Sequence, residues 1–272
     1  MGKISTEAKN TYAEKVRGYK QEIEQILSRE KNILQVVERD QQGREYKLIA
    51  LAEERANLAS LYLLLNRISI ALLGMKSEPF LNDARKSCYE AIIHLENVVT
   101  GRIDAPFSDY EQAHEAIEGF TDPERYDLVR KIGLTIQGVE RGFGDNSKWK
   151  WSFVELEGRF AAVSKNIINL KSVVAGLDPR VDGYRERLKL LNLAKRWLMI
   201  AADRYREKYE LSTTRIDDFK TAIAFLAALR RLHMMLGEND QAEQIRKKAD
   251  VWKAKMEDDE KRLQNSGSQK PG

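Results

Sequence analysis

Apolar residues recur every three or four positions along the first forty residues of the chain. This heptad-like spacing predicts an amphipathic helix from Thr6 to about Gln41 that turns one narrow stripe toward a partner helix. Glu30 is the one charged residue within that stripe. The stripe consists of Tyr12, Val16, Tyr19, Ile23, Ile26, Ile33 and Val37.

The second segment, from about Glu45 to Leu73, is apolar on nearly all sides. Its most apolar part, 58–75, is slightly short of the roughly 20 residues that span a bilayer, and it carries Asn66 and Arg67 near its centre. A charge at that depth is costly in a membrane, so we predict a helix buried in a soluble bundle. Gly74 is expected to end it, and an antiparallel pairing with the first helix is the simplest arrangement.

Turn and capping signals divide the next part of the chain. A helix is predicted from Ser77 to about Thr100, before a glycine. The sequences SDYE at 108–111 and TDPE at 121–124 both have the form of a capping box. They predict a short helix at about 109–119 and a longer one at about 123–141.

The stretch GDNSKWKWSFVELEGRF, residues 144–160, is dense in aromatic and basic residues. Good N-cap residues at 145–147 predict a helix that begins there, with Trp149 and Phe153 as core anchors. Gly158 would let a large ring approach this helix closely. Stacking of nucleic-acid bases on Trp151, between Lys148 and Lys150, is an alternative interpretation.

Further helices are predicted at about 183–211, from 213 to a stop at Gly237, and at about 241–263. No strand pattern interrupts the series, so the predicted fold class is all-α: antiparallel helical hairpins arranged as a TPR-like right-handed array or a multi-helix bundle. We expect helical hairpins in 1–143 and in 144–264, either as two domains or as one continuous domain, followed by a disordered tail at 265–272.

Composition agrees with a globular helical protein, since 42% of the residues are hydrophobic and 32% are charged. The net charge of +4 is small for a dedicated duplex binder. Cys88 is the single cysteine, so no intrachain disulfide can form, and we expect a cytoplasmic protein. The N-terminal MGKIST fits the form of an N-myristoylation site at Gly2, and whether Gly2 is lipidated stays open.

Residues 226–254 resemble one unit of the tetratricopeptide (TPR) repeat, with Leu229, Gly237, Ala242 and Ala249 at the expected spacing. Departures occur at Leu226, His233 and Arg246, where aromatic residues are common. A weaker echo covers about 58–95 through Gly74, Ala84, Cys88 and Ala91. Proteins of this class bind peptides or protein partners in a concave groove, and the resemblance implies such a role.

Catalytic signatures are sparse. The three histidines are His94, His114 and His233. HEAIE at 114–118 lacks the second histidine of a zinc protease, and the Glu111 to His114 pair has no second copy to complete a di-iron site. We therefore predict a protein that is not an enzyme and has no cofactor or bound metal.

The sequence favours a non-catalytic scaffold or adaptor that mediates protein–protein interaction within a larger assembly. A nucleic-acid-binding protein that uses the basic 185–208 face is one alternative, and a helical-bundle enzyme or metalloprotein is another. The predicted partner is a protein. The more specific interpretation of the basic face is that this partner has an acidic surface. The predicted partner-binding residues are Arg196, Arg204, Arg230, Arg231 and Lys247.

Overall fold

A computed structural model describes residues 4–145 and 147–267 of the protein. Over this part of the chain the fold is all-α, with ten α-helices and no β-strand. The helices are α1 (Thr6–Arg39), α2 (Arg44–Leu73), α3 (Glu78–Glu96), α4 (Glu111–Ala116), α5 (Asp122–Phe143), α6 (Lys150–Asn166), α7 (Leu170–Ala175), α8 (Tyr184–Lys208), α9 (Ile216–Met235) and α10 (Asn239–Gly267).

Two compact units divide the chain. Unit 1 contains Met1–Thr100 and Tyr110–Leu156, and unit 2 contains Gly101–Asp109 and Glu157–Gly272. The division falls inside α6, after Leu156. The expected boundary at residue 143, between two domains or within one continuous domain, stays a prediction.

The predicted stripe of α1 forms the seam with α2 in unit 1. Val16, Ile23 and Ile26 are buried against Leu58 and Leu65 of α2, and Tyr12 and Tyr19 pack on the edge of this cluster. Helix α2 also packs against α3 and α5, and α3 packs against α5. The apolar character of α2 thus matches a helix with neighbours on several sides.

Helix α2 is long and apolar enough to cross a membrane by length and composition, and it is the one such helix among the described residues. A core helix of a soluble protein passes the same test. Gly74 ends α2 as predicted, with φ of 66° and its N–H bonded to Ile70 O. Helix α3 is shorter than predicted, because the chain turns at Asn97, whose side chain also donates to Ile93 O.

The two predicted capping boxes have different outcomes. At Thr121 both halves of the box are present, since the hydroxyl accepts from Glu124 N and the Glu124 carboxylate accepts from Thr121 N. The prediction of a capping box at Ser108 is wrong. Residues Phe107–Asp109 form a 3₁₀ turn instead, and α4 begins after Tyr110 with no side-chain cap.

Helix α6 begins at Lys150, later than predicted, because Ser147 caps a turn by accepting from Trp149 N. Phe153 is buried as expected, whereas the expectation that Trp149 is a core anchor is wrong, since it is only half-buried. Gly158 has the predicted role. A Cβ at this position would lie 2.6 Å from the ring of Tyr205.

In unit 2, α8 and α10 both pack on α9. Helix α8 continues into a π-helical turn at Tyr209–Thr213, which ends at Thr214 with φ of 50°. Gly237, with φ of 72°, turns the chain from α9 to α10, and Ala242 and Ala249 are buried in the hairpin.

Residues 265–267 of the predicted disordered tail belong to α10. The rest of that tail, 268–272, and the predicted lipidation position Gly2 lie outside the described residues.

Candidate binding surfaces

Much of the basic face of α8 is engaged in ion pairs within unit 2. Lys195 contacts Glu238 at 2.6 Å, Lys208 contacts Asp218 at 2.8 Å, and Arg206 contacts Glu210 at 3.0 Å. These carboxylates offset the positive potential that an acidic ligand would meet. The pair between Arg206 and Glu210 follows from their spacing of four residues. Glu238 and Asp218 lie beyond α8 along the chain, so the sequence alone could not pair them with Lys195 and Lys208.

Two of the predicted partner-binding residues serve internal contacts. Arg204 donates to the buried Glu157 at 3.0 Å and lies 3.8 Å from Glu207. Arg231 is exposed but forms a two-pronged pair with Asp104, at 2.9 and 3.0 Å. Both side chains therefore help to hold unit 2 together.

The other three predicted residues have no ion pair within the described chain. Arg196 is exposed on α8, Arg230 is half-buried on α9, and Lys247 is exposed on α10. Arg230 and Lys247 lie close enough to Glu243 for both to lower the pKa of its carboxyl, although Arg246, which bonds to Glu243 directly, has the larger effect. Both cations therefore lie near Glu243 on the α9–α10 hairpin.

Exposed apolar side chains adjoin these two cations. Met234 lies one helical turn beyond Arg230 and is 53% exposed, and Val251 lies one turn beyond Lys247 and is 68% exposed. Residues four apart share one side of a helix. We call Arg230, Met234, Lys247 and Val251 the hairpin face. It combines two cations that form no ion pair within the described residues with exposed apolar area.

The basic and aromatic stretch before and within α6 has a geometry of its own in unit 1. Lys148 Nζ lies 5.5 Å from the centre of the Trp149 ring, and Lys150 Nζ lies 4.7 Å from that of Trp151. Arg85 of α3 lies over the Trp149 ring at 4.2 Å. Cations near aromatic faces are favourable, and a nucleic-acid base could stack fully only by displacing them.

A buried ion cluster interrupts the apolar seam of unit 1. Glu30 of α1, which is 4% exposed, accepts from Arg55 of α2, and Arg55 also pairs with Glu90 of α3. Burial raises the pKa of Glu90. Burial, with the charge of Arg55 nearby, lowers the pKa of His94 to about 4, so this imidazole is neutral at neutral pH.

A buried lysine in unit 2 holds the segment that precedes α4. Lys165 donates to Ala105 O at 3.1 Å, and the neighbouring Asn166 donates to Arg102 O at 3.0 Å. Burial lowers the pKa of Lys165 to about 8. These contacts give Lys165 a structural role at the C-terminal end of α6.

The described residues contain no group of three or more His, Cys, Asp or Glu side chains placed to hold a metal ion. Cys88 is buried, and burial raises the pKa of its thiol to about 12, which keeps it protonated. His114 is also buried, and its Nδ1 lies 3.1 Å from Arg125 Nη1.

The protein is therefore all-α over the described residues. Its hairpin face combines exposed apolar side chains with cations that form no ion pair within the described residues. The chain matches the TP0443 family over residues 8–260 and belongs to that family. Comparisons with curated proteins and with solved structures gave no match.

Proposed function

We propose that the protein is a non-catalytic helical scaffold that binds another protein through the hairpin face, within a larger assembly in the cytoplasm. The observation that carries the proposal is the contrast within unit 2. Most cations of α8 have carboxylate partners in direct contact, whereas Arg230 and Lys247 form no ion pair within the described residues and have only Glu243 nearby. Each is followed one helical turn later by an exposed apolar residue, Met234 or Val251. The partner is expected to present acidic and apolar side chains together.

The TPR-like interpretation of residues 226–254 belongs to this proposal. The left-handed Gly237 and the buried Ala242 and Ala249 support it, because a closed turn and small residues let two helices pack closely. In such a hairpin the buried side fixes the helices, and the outer side is available for recognition. Arg196 is a further candidate contact on α8, while Arg204 and Arg231 act through the ion pairs that support the surface.

Affinity capture with charge-reversal variants tests the proposal. Arg230→Glu with Lys247→Glu reverses the charge of the hairpin face, and Lys15→Glu with Lys20→Glu is the matched control on exposed positions of α1. We expect a partner that wild type and control retain equally and that the hairpin variant retains about tenfold less. Equal retention by all three proteins would contradict the proposal, provided that circular dichroism shows equal folding.

Nucleic-acid binding is a second candidate, favoured by the lysine–tryptophan pairs at 148–151. Binding of this kind depends strongly on salt, because bound cations release counterions. Retention on single-stranded nucleic acid that falls steeply with salt, and falls further in Lys148→Glu with Lys150→Glu, would support it. No retention at low salt would exclude it.

A further inference from the structure

The exposed side of α5 in unit 1 carries an acidic, an apolar and a basic residue at equal spacing. Asp127, Leu134 and Arg141 follow one another at intervals of seven residues, or about two helical turns, so they lie along one face of the helix. All three side chains are exposed, as is Arg130 between the first two. We call Asp127, Arg130, Leu134 and Arg141 the α5 face.

Leu134 is the apolar centre of the α5 face. It is 53% exposed, more than any other large apolar side chain among the described residues of unit 1. A single exposed leucine is common on a protein surface, so its exposure alone indicates no partner. The charges on either side of Leu134 and the groove beside it supply that indication.

The charged residues of the α5 face form no ion pair within the part of the chain that the structure describes. Arg141 donates to the neutral amide oxygen of Gln137 at 3.3 Å. The neighbouring Lys131, by contrast, pairs with Glu53 of α2 at 3.1 Å. The Asp127 carboxylate and the Arg141 guanidinium are therefore available to pair with charges of another molecule.

A groove of about 590 Å³ lies between α2 and α5 and includes Asp127 and Leu134 in its lining. Ile49 and Leu128 give it an apolar floor. Three carboxylates and two cations line it, which leaves one net negative charge. Such a groove suits the apolar stem and the positive head of an arginine. The lining residues are Ile49, Glu53, Phe120, Glu124, Asp127, Leu128, Arg130, Lys131 and Leu134.

The α5 face complements itself. Asp127 and Arg141 are each seven residues from Leu134, so a half-turn about an axis through Leu134 brings Asp127 of each copy opposite Arg141 of the other. A two-fold interface requires this property, because each of its contacts occurs twice with the roles exchanged. Arg130 comes opposite Gly138 in this arrangement and meets no like charge there.

From these observations we infer that the α5 face binds a second copy of the chain, as an antiparallel, two-fold symmetric dimer centred on Leu134. The Arg141 stem of each copy enters the groove of the other and packs near Leu128, and its guanidinium binds the Asp127 carboxylate at the rim. The two leucines cover each other on the axis. The hairpin face of unit 2 takes no part, so the inference is independent of the proposed function.

Sedimentation equilibrium of the intact chain tests the inference. We expect the apparent mass to rise with concentration from the 31.3 kDa of one chain toward twice that value. Leu134→Glu places two like charges on the axis and should keep the protein monomeric at concentrations where the wild type is dimeric. Leu211→Glu makes the same change at a leucine of unit 2 that is 68% exposed, and it should dimerise as the wild type does.

A charge exchange tests the proposed pairing itself. Asp127→Lys and Arg141→Glu should each raise the dissociation constant of the dimer by about tenfold or more, because each variant alone places like charges opposite each other. An equimolar mixture of the two variants should dimerise close to the wild-type level, since both contacts of the mixed dimer then join opposite charges. Arg230→Glu with Lys247→Glu, on the hairpin face, should leave the dissociation constant unchanged.

Three results would overturn the inference: a wild-type chain that stays monomeric at every concentration, a dimer that survives Leu134→Glu, or a mixture of the charge variants that associates no better than either variant alone. Circular dichroism and urea unfolding of each variant report its folding, so loss of structure is distinguishable from loss of association.

Discussion

Arg55 Nε lies 2.5 Å from Glu30 Oε1, within the seam where α1 meets α2. The carboxylate is almost fully buried, and the same guanidinium reaches Glu90 of α3. One arginine thus links three helices of unit 1. A buried pair of this kind contributes little net stability when complete, but its loss leaves an unpaired charge in the interior.

Replacing Arg55 with leucine should lower the free energy of unfolding by about 3–5 kcal/mol, because Glu30 would remain buried without its cation. The measurement is urea denaturation of the whole chain at neutral pH. Adding Glu30→Leu should restore much of the loss, since both charges are then gone.

Arg29→Leu is the control for this prediction, because Arg29 pairs with Glu54 at 3.0 Å on the same two helices but is itself half exposed. Exposed pairs contribute about 0–1 kcal/mol, so this variant should unfold close to wild type. Equal effects at Arg55 and Arg29 would contradict the interpretation of a buried ion cluster.

Acidification should destabilise the fold through His94. Its pKa falls from 6.5 to about 4 in the folded protein, chiefly because of burial and also because Arg55 is near. Between these values the unfolded chain binds a proton that the folded chain does not, so stability falls as the pH decreases through this window. Allowing for the part of the ring that water reaches, the effect is roughly 1–2 kcal/mol.

The measurement is unfolding at pH values across that window in wild type and in His94→Gln. The wild type should lose more stability than the variant on acidification, and NMR titration should place the His94 pKa well below that of an exposed histidine. Identical pH dependence in the two proteins would refute the assignment.

Thr121→Ala should destabilise the protein by about 1 kcal/mol, because the Thr121 side chain caps the backbone at the start of α5. Ser108→Ala provides a direct comparison, since the same sequence pattern there forms no capping box. It should change the unfolding free energy by less than about 0.5 kcal/mol. Thermal or urea unfolding of both variants checks the pair, and a larger effect at Ser108 would be inconsistent with the structure.

Gly158→Ala should cost about 1–3 kcal/mol, because the new methyl group would overlap the Tyr205 ring and approach Phe225. Gly18 lies within α1 with open space around it, so Gly18→Ala should stabilise the protein by about 0.5–1 kcal/mol. The two substitutions add the same atom, and opposite signs in urea unfolding are the expected result. Stabilisation at both sites would show that α6 does not pack on Tyr205.

The sequence alone was sufficient to predict the all-α fold class, because its local helix signals agree with the tertiary packing. The stripe of α1, the stop at Gly74, the cap at Thr121 and the tight approach at Gly158 each depend on spacing or residue size within one helix, and each was correctly predicted. The signal for each feature lies within a few residues of one helix, although the partners of the α1 stripe and of Gly158 are distant along the chain.

Features that depend on distant partners were not predictable in this way. Ser108 has the right neighbours for a cap, but the chain forms a different turn there. Trp149 has helical spacing, yet it lies before α6 and packs beside Arg85 of α3.

The same limit applies to the predicted partner-binding residues. Arg204 and Arg231 look like exposed cations in the sequence because Glu157 and Asp104 are far from them along the chain. Separating engaged cations from unpaired ones required the packed structure, and that separation selected Arg230 and Lys247.

Photo-crosslinking from the hairpin face tests the proposed scaffold function most directly. A photoreactive amino acid at Met234 or Val251, both exposed, should form a covalent adduct with one protein in native extract, and Arg230→Glu with Lys247→Glu should abolish that adduct. The same amino acid at Lys15 of α1 should not give it. An adduct pattern that is the same from all three positions, or that survives both charge reversals, would contradict the account.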